Sequence, residues 1–232
     1  MALQIRNLEV RLGGFELRVP ELAIGPGEIL SIVGPSGSGK STLLLALSGF
    51  VPVIGGHILG EQGKSLETLA PESRGVGIVF QKPALLPHLT IRQNVELGLR
   101  ARGVSSSARK EMAAVVMGSL GIGDLSDRRP DQVSGGQAQR AMLARVFVLN
   151  LPVLLLDEPF AALDPPLRRE LRALVREQVR QRQVSCVLVT HDPRDAAELS
   201  DRVAVLENGA LAFSGTVDGA RVESAWFRSF LD

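Results

Sequence analysis

The stretch ILSIVGPSGSGKSTLLLALSGF, residues 29 to 50, decides the fold. Ile29 to Val33 is a buried-strand candidate that runs straight into Gly34-Pro35-Ser36-Gly37-Ser38-Gly39-Lys40-Ser41. Thr42 to Phe50 then has no breaker before Gly49 and reads as a helix. The eight middle residues match G-x-x-x-x-G-K-[ST] in the strand, loop, helix context that a phosphate-binding loop requires. The spacing has a mechanical reason. Glycines let consecutive backbone N–H groups turn inward as an anion cradle, and the following helix adds its positive end. Lys40 reaches terminal phosphates and Ser41 ligates Mg²⁺.

Working outward, Leu3 to Ile32 shows short apolar runs broken by Gly13-Gly14, Pro20 and Gly25-Pro26-Gly27, the pattern of antiparallel strands joined by tight turns. Residues 51 to 64 return to glycine-broken short strands, and Val76 to Gln81 reads as another strand. Residues 84 to 150 read as a helical insertion. It has helical patterns over 89–120, a capped start near Ser105-Ser106-Ser107, and a helix after Ser134-Gly135-Gly136 with Met142, Leu143, Val146 and Leu149 at helical spacing. Val153 to Leu156 is a fully apolar strand ending in Asp157-Glu158. Asp164-Pro165 opens a helix with the apolar stripe Leu167, Leu171, Leu174, Val175 and Val179. Its other face carries Arg168, Arg169, Arg172, Arg176, Arg180 and Arg182; with no aromatics between them, this reads as a solvated face, not a nucleic-acid stripe. Strands over Val184 to Val189 and Arg202 to Leu206 complete the alternation. The expected fold is α/β: a P-loop NTPase core with a mostly parallel sheet, an N-terminal antiparallel β subdomain and an inserted α-helical subdomain. Residues 1–232 form one domain, with 216–232 a short C-terminal tail in which Ala225 to Phe230 packs as a helix.

Composition narrows the function. Apolar residues make up 45% and charged residues 22% of 232, which excludes wholesale disorder and a fibrous repeat. Ten of the 24 glycines fall between 25 and 63, a clustering that points to loops of close backbone approach. A formal charge of +1 gives no reason to expect a nucleic-acid partner. A single cysteine, Cys186, fits a reducing compartment and reads as a buried strand thiol. No run approaches about 18 consecutive apolar residues, and the first residues lack a secretory pattern, so residence in the cytoplasm is expected.

A second magnesium element should be an acid at the end of a buried strand, and Asp157-Glu158 supplies it. Asp157 can hold Mg²⁺ through water, while Glu158 can orient or deprotonate an attacking water. Taken without the glycine loop, the same pair would read as a capped strand end with two solvated acids.

At Val133-Ser134-Gly135-Gly136-Gln137 the sequence resembles the ATP-binding cassette (ABC) ATPases, the motor subunits of ABC transporters, whose signature usually begins with Leu where Val133 stands. Gln81 resembles the family's Q-loop glutamine, Ala161-Ala162-Leu163-Asp164 its D-loop, and His191 after Val187-Leu188-Val189-Thr190 its switch histidine. The resemblance implies ATP and Mg²⁺ as ligands. Gly34, Pro35, Ser36, Gly37, Ser38, Gly39, Lys40, Ser41 and Thr42 would hold the phosphates, with Lys40 and His191 at the terminal one. Ser41 and Gln81 would complete the metal shell, supported by Asp157, and Glu158 would be the general base. Ser134, Gly135, Gly136, Gln137 and Asp164 would meet the nucleotide of a second subunit in a head-to-tail dimer. The family usually stacks adenine on an aromatic before the glycine loop. Here the aligned position is Leu12, Phe15 is the nearest aromatic, and the chain has no tyrosine.

Gln81-Lys82-Pro83-Ala84-Leu85-Leu86-Pro87-His88-Leu89-Thr90 resembles the stretch that follows the Q-loop in bacterial importers of small solutes and ions. That resemblance implies integral membrane permease subunits, a second ATPase subunit (the same chain or a close paralogue) and a solute-binding protein as partners. It places the chain peripherally on the cytoplasmic face of the cell membrane and without a C-terminal regulatory domain. Thiamine-like, polyamine and oxyanion cargo are all compatible with it. A non-transport cassette ATPase acting on DNA would carry coiled-coil or zinc insertions, and the sequence has neither. A P-loop nucleotide kinase or GTPase would leave Ser134-Gly135-Gly136-Gln137 without a role.

Overall fold

The computed structural model describes residues 3–81, 84–161 and 163–228; Lys82, Pro83, Ala162 and the expected terminal-helix residues Ser229 and Phe230 lie outside the described residues. Nine strands form one sheet: β1 (Leu3–Leu12), β2 (Phe15–Ile24), β3 (Ile29–Val33), β4 (Val53–Leu59), β5 (Val76–Val79), β6 (Val153–Asp157), β7 (Ser185–Val189), β8 (Arg202–Glu207) and β9 (Ala210–Gly215), in the order β4-β1-β2-β9-β8-β3-β7-β6-β5. The helices are α1 (Lys40–Ser48), α2 (Ile91–Ala101), α3 (Ser106–Ser119), α4 (Gly135–Phe147), α5 (Pro165–Arg182), α6 (Pro193–Leu199), α7 (Val217–Glu223) and α8 (Ala225–Arg228). The chain divides into two compact units. The first takes residues up to Ile78, Pro152–Glu158 and everything from Val175 onward; the second takes Val79–Leu151 and Pro159–Leu174.

In the first unit, β3 pairs in parallel with β7 and β8, and β6 pairs in parallel with β7. Both faces of such strands are covered, which is why ILSIV and SCVLV are buried at every position instead of alternating. β1 and β2 form an antiparallel hairpin in register Leu12↔Phe15 across Gly13-Gly14. Successive residues of β8 enter two cores. Ala204 and Leu206 join Leu43, Leu44 and Leu47 of α1 on one face, while Val203 and Val205 join Ala196, Ala220 and Phe227 on the other. In the second unit, Ile91, Val95 and Leu99 of α2 are buried, as are Met117 of α3 and Met142, Leu143 and Phe147 of α4. Asn94, fully buried, accepts from the Leu86 amide (2.7 Å) and donates to the Leu86 carbonyl (3.1 Å), fixing the chain that leads into α2.

Three local expectations shift. α1 begins at Lys40, not Thr42, because Gly39 already serves as its N-cap. β5 stops at Val79, and the exposed Phe80 and Gln81 lie beyond it. The arginine face of α5 is not uniformly solvated, since Arg172 is buried and Arg182 half-buried, its Nε donating to Gln178 Oε1 (2.9 Å).

α1 is held from behind by Arg74. This buried guanidinium donates to the carbonyls of Ala46 (2.7 Å) and Leu47 (3.3 Å) at the helix C-terminus, and to those of Leu69 (2.9 Å) and Glu67 (3.0 Å). A cation there complements the helix dipole and satisfies carbonyls that water cannot reach. Arg74→Met should therefore cost roughly 2 kcal/mol by leaving those acceptors unpaired, a drop of about 4–8 °C for a chain of this size. Thermal melting followed by circular dichroism measures it.

Glu67 is a second anchor of the same region. Burial alone would raise its carboxyl, but hydrogen bonds from Ser65, His57 and the Ile58 amide outweigh it and hold the group at about 2. A depressed carboxyl stabilises the fold above its unfolded value near 4.5 and loses that contribution as pH falls toward 2. The difference in stability between wild type and Glu67→Gln, measured by urea unfolding, should accordingly shrink progressively between pH 4.5 and pH 2.

Candidate functional site

The loop between β3 and α1 follows from backbone geometry. Gly34 has φ +148°, and a Cβ there would lie 2.0 Å from the Leu206 carbonyl oxygen, so only glycine lets the chain leave β3 this way. Gly39, in the left-handed region at φ +103°, starts α1 with no side-chain cap. Among the α-helices of the described residues α1 is alone in this. Side-chain oxygens of Thr90, Ser105, Ser134, Asp164, Asp192, Thr216 and Ser224 accept from amides in the first turns of α2 to α8 in order. The first amides of a helix have no intrahelical partner, and at α1 no side chain supplies one. With the helix dipole behind them they form a site for an anion.

Lys40, the first residue of α1, is buried. Its ammonium donates to the carbonyls of Gly34 (2.9 Å) and Pro35 (2.8 Å) and approaches Ser38 Oγ (3.5 Å). Burial pushes this amine below the usual lysine range, and the carboxylates of Glu158 and Asp157 pull it back up. Asp157 mirrors it: burial raises the carboxyl, Glu158 raises it further, and Lys40 opposes both. Ser41 is exposed and Thr42 half-buried on the same helical turn.

Because β3, β6 and β7 are parallel, their carboxyl ends share one edge of the sheet, where open α/β sheets bind ligands. Asp157 closes β6. Glu158 follows it with φ +50°, a left-handed conformation uncommon for a glutamate, its amide donating to the Val189 carbonyl (2.9 Å). His191, two residues beyond β7, pairs through Nδ1 with Glu158 Oε2 at 2.7 Å. A carboxylate only accepts, so Nδ1 carries the proton and donates. The family resemblance implied separate roles for these two side chains; their direct contact could not be read from positions 33 apart in the chain.

The remaining sequence candidates lie in the second unit. Gln81 is exposed. Ser134 and Gln137 form a reciprocal capping box at the start of α4: Ser134 Oγ accepts from the Gln137 amide (3.3 Å), and Gln137 Oε1 accepts from the Ser134 amide (2.9 Å). Gly135 is exposed with open space around it, whereas a Cβ on Gly136 would lie 2.2 Å from Leu167 Cδ2, so Gly136 also serves helix packing. Asp164 Oδ1 caps α5 through the Leu167 amide (3.0 Å). Of the two positions considered for a base, Leu12 is exposed, while Phe15 packs on the core with its ring against the Gly39 backbone.

The donor set fits a magnesium nucleotide. Uncapped amides and a buried ammonium suit phosphate oxygens, and Ser41 with Asp157 offers the oxygen ligands a hard cation takes. Among the described residues no group of three or more His, Cys, Asp or Glu could hold a metal by itself.

Fold and loop together define a P-loop nucleotide-binding protein. The chain belongs to the ABC transporter family, whose family model, described as "ABC transporter", matches residues 17–161, and it is an ATP-binding, ATP-hydrolysing cassette. It is 40% identical over 209 residues to the thiamine import ATP-binding protein ThiQ of Ruegeria sp. (strain TM1040), covering 90% of each chain. It is 40% identical over 217 residues to the probable sulfate/thiosulfate import ATP-binding protein CysA of Chlorella vulgaris, covering 93% of this chain and 92% of that protein. Among solved structures, the ADP conformation of MJ1267, an ATP-binding cassette of an ABC transporter, has the same fold, with TM-score 0.87 at 23% identity over 99% of this chain and 98% of that one. The dimeric post-hydrolysis state of the cassette MJ0796 with ADP and Pi superposes with TM-score 0.79 at 28% identity, covering 93% and 98% of the two chains. Among the described residues no helix is long and apolar enough to cross a membrane.

Proposed function

We propose that this chain powers uptake of a small solute by binding and hydrolysing ATP at the loop from Gly34 to Thr42. It would act as one of two ATPase subunits docked on integral membrane permease subunits at the cytoplasmic face of the cell membrane, with a solute-binding protein delivering the cargo. The observation that carries the reading is the gathering of Lys40, Asp157 and the Glu158–His191 pair at the carboxyl ends of neighbouring parallel strands in a chain of this family. The relatives named for thiamine import and for sulfate/thiosulfate import are both 40% identical to it, which supports a small charged solute without separating the two.

Each residue's part follows from its chemistry. The first amides of α1 and the Lys40 ammonium bind the phosphates, and the ammonium can exchange the Gly34 and Pro35 carbonyls for phosphate oxygens at little cost because all are hydrogen-bond acceptors. Glu158 takes the proton of the attacking water. His191, its Nδ1 proton on Glu158, turns its other ring nitrogen to the terminal phosphate and donates there when the ring is cationic. Ser41, Gln81 and Asp157 would hold a Mg²⁺ ion, whose chemistry when bound would be to neutralise charge on the phosphate oxygens.

Ser134, Gly135, Gly136 and Gln137, with Asp164, complete the site of a second subunit. Support comes from the exposed start of α4 and from the dimeric state named for the MJ0796 cassette. Mixing a Ser134→Arg chain with a Lys40→Ala chain then rebuilds one intact site per heterodimer. Each alone should be nearly inactive, and the mixture should recover a substantial fraction of wild-type ATPase activity, most clearly where membrane subunits hold the two together. A Ser134→Arg chain with full activity by itself contradicts the shared site.

A further inference from the structure

We propose that Thr190 and Asp195 form a buried clamp that positions His191 against Glu158, making both of them positioning residues for ATP hydrolysis. The proposal rests on the catalytic reading of His191 and Glu158 given above. His191 is exposed and sits in a turn between β7 and α6, so nothing in its own packing fixes the imidazole. The residues on either side are fixed. The Thr190 amide donates to the Ile32 carbonyl of β3 (3.2 Å), tying the turn to the strand that launches the phosphate loop. The Thr190 hydroxyl donates to Asp195 Oδ2 (3.3 Å) and accepts from the Asp192 amide (3.1 Å). One hydroxyl therefore closes a bridge across the single residue His191. Asp195 is in turn held by its own amide, which donates to the Asp192 carbonyl (3.0 Å).

Burial makes the arrangement informative. Thr190 is 1% exposed and Asp195 3% exposed. Thr190 continues the run Cys186-Val187-Leu188-Val189, where a valine would fill the same volume without a hydroxyl to satisfy. A hydroxyl and a carboxylate in such a place carry a desolvation cost that hydrogen bonds have to offset, and the bond between Thr190 and Asp195 is one of them. What the pair adds over an apolar one is direction: it sets the path of the backbone through residues 190–192 and hence the line along which the His191 ring meets Glu158. An acid in the first turn of α6 also favours that helix, but helix stabilisation alone has no effect on the chemical step.

The test compares turnover of the full chain at saturating Mg-ATP for wild type, Thr190→Val, Thr190→Ser and Asp195→Ala, each with its melting temperature. Thr190→Val, which keeps shape and removes the hydroxyl, should lower kcat ten- to a hundredfold while KM for ATP stays within threefold. Thr190→Ser should return kcat to within threefold of wild type. Asp195→Ala should lower kcat at least as far as Thr190→Val, and the double variant should be no slower than Asp195→Ala alone, since that substitution already removes the bridge. Imidazole ¹⁵N spectra add a readout independent of turnover: the His191 Nδ1 signal should shift in Thr190→Val and hold in Thr190→Ser. A Thr190→Val chain with kcat within twofold of wild type overturns the clamp, as does a Ser variant as slow as the Val variant. Should Thr190→Val fail to fold, Asp195→Ala with wild-type kcat and an unmoved His191 signal overturns it equally. A Lys40→Ala control separates this from the broader reading: if it hydrolyses ATP normally, the site assignment itself is wrong, whereas an inactive Lys40→Ala beside a fully active Thr190→Val removes the clamp alone.

Discussion

Everything at this site depends on one close approach, that of the Gly34 backbone to the Leu206 carbonyl. A first side-chain carbon at position 34 would sit 2.0 Å from that oxygen, well inside any permitted contact. Because the position carries none, β3 can turn sharply beside β8 and deliver the chain to α1 with its first amides facing outward. The Ser38 carbonyl then accepts from the Gly209 amide (3.2 Å), so the β8–β9 turn supports the loop from the same side. Arg74 closes the other end of α1. The N-terminal end of the helix is left without a side-chain cap, while its far end is satisfied by a buried cation.

That asymmetry separates structural helix starts from functional ones. The Ser-Gly-Gly start of α4 offers exposed backbone, yet Ser134 and Gln137 already cap it and Gly136 makes room for Leu167. α1 has neither kind of compensation. Where the other α-helices of the described residues are capped by side chains, an uncapped start with a buried ammonium beside it is held ready for an anion. A shared site at α4 would use amides that the capping box leaves free, and its serine hydroxyl, already accepting from the Gln137 amide, would donate its proton to a phosphate oxygen.

Much of this was legible in the sequence because it is local. The apolar run of Ile29–Val33, the glycines after it and the helix behind them specify strand, cradle and helix within one segment, and the strand ending in Asp157-Glu158 is just as local. What could not be read depends on long-range contact. Arg74 caps a helix 27 residues earlier. Gly136 meets Leu167 from another helix. Glu158 and His191 pair because β6 and β7 happen to be neighbours. Periodicity placed Arg172 with its exposed neighbours, yet it is buried, because spacing along one helix carries no information about which second element covers it. The ring of Phe15, the aromatic nearest the glycine loop in sequence, lies on Gly39, a contact between strand and loop that spacing along the chain does not show.

The central claim is that the start of α1 and the Lys40 ammonium bind the terminal phosphates of ATP, and isothermal titration of Mg-ATP into wild type and Lys40→Ala tests it most directly. Charge-assisted hydrogen bonds of this kind contribute about 1.5–3 kcal/mol, so the substitution should weaken binding roughly 10- to 150-fold. Equal affinity in the two proteins would contradict the account.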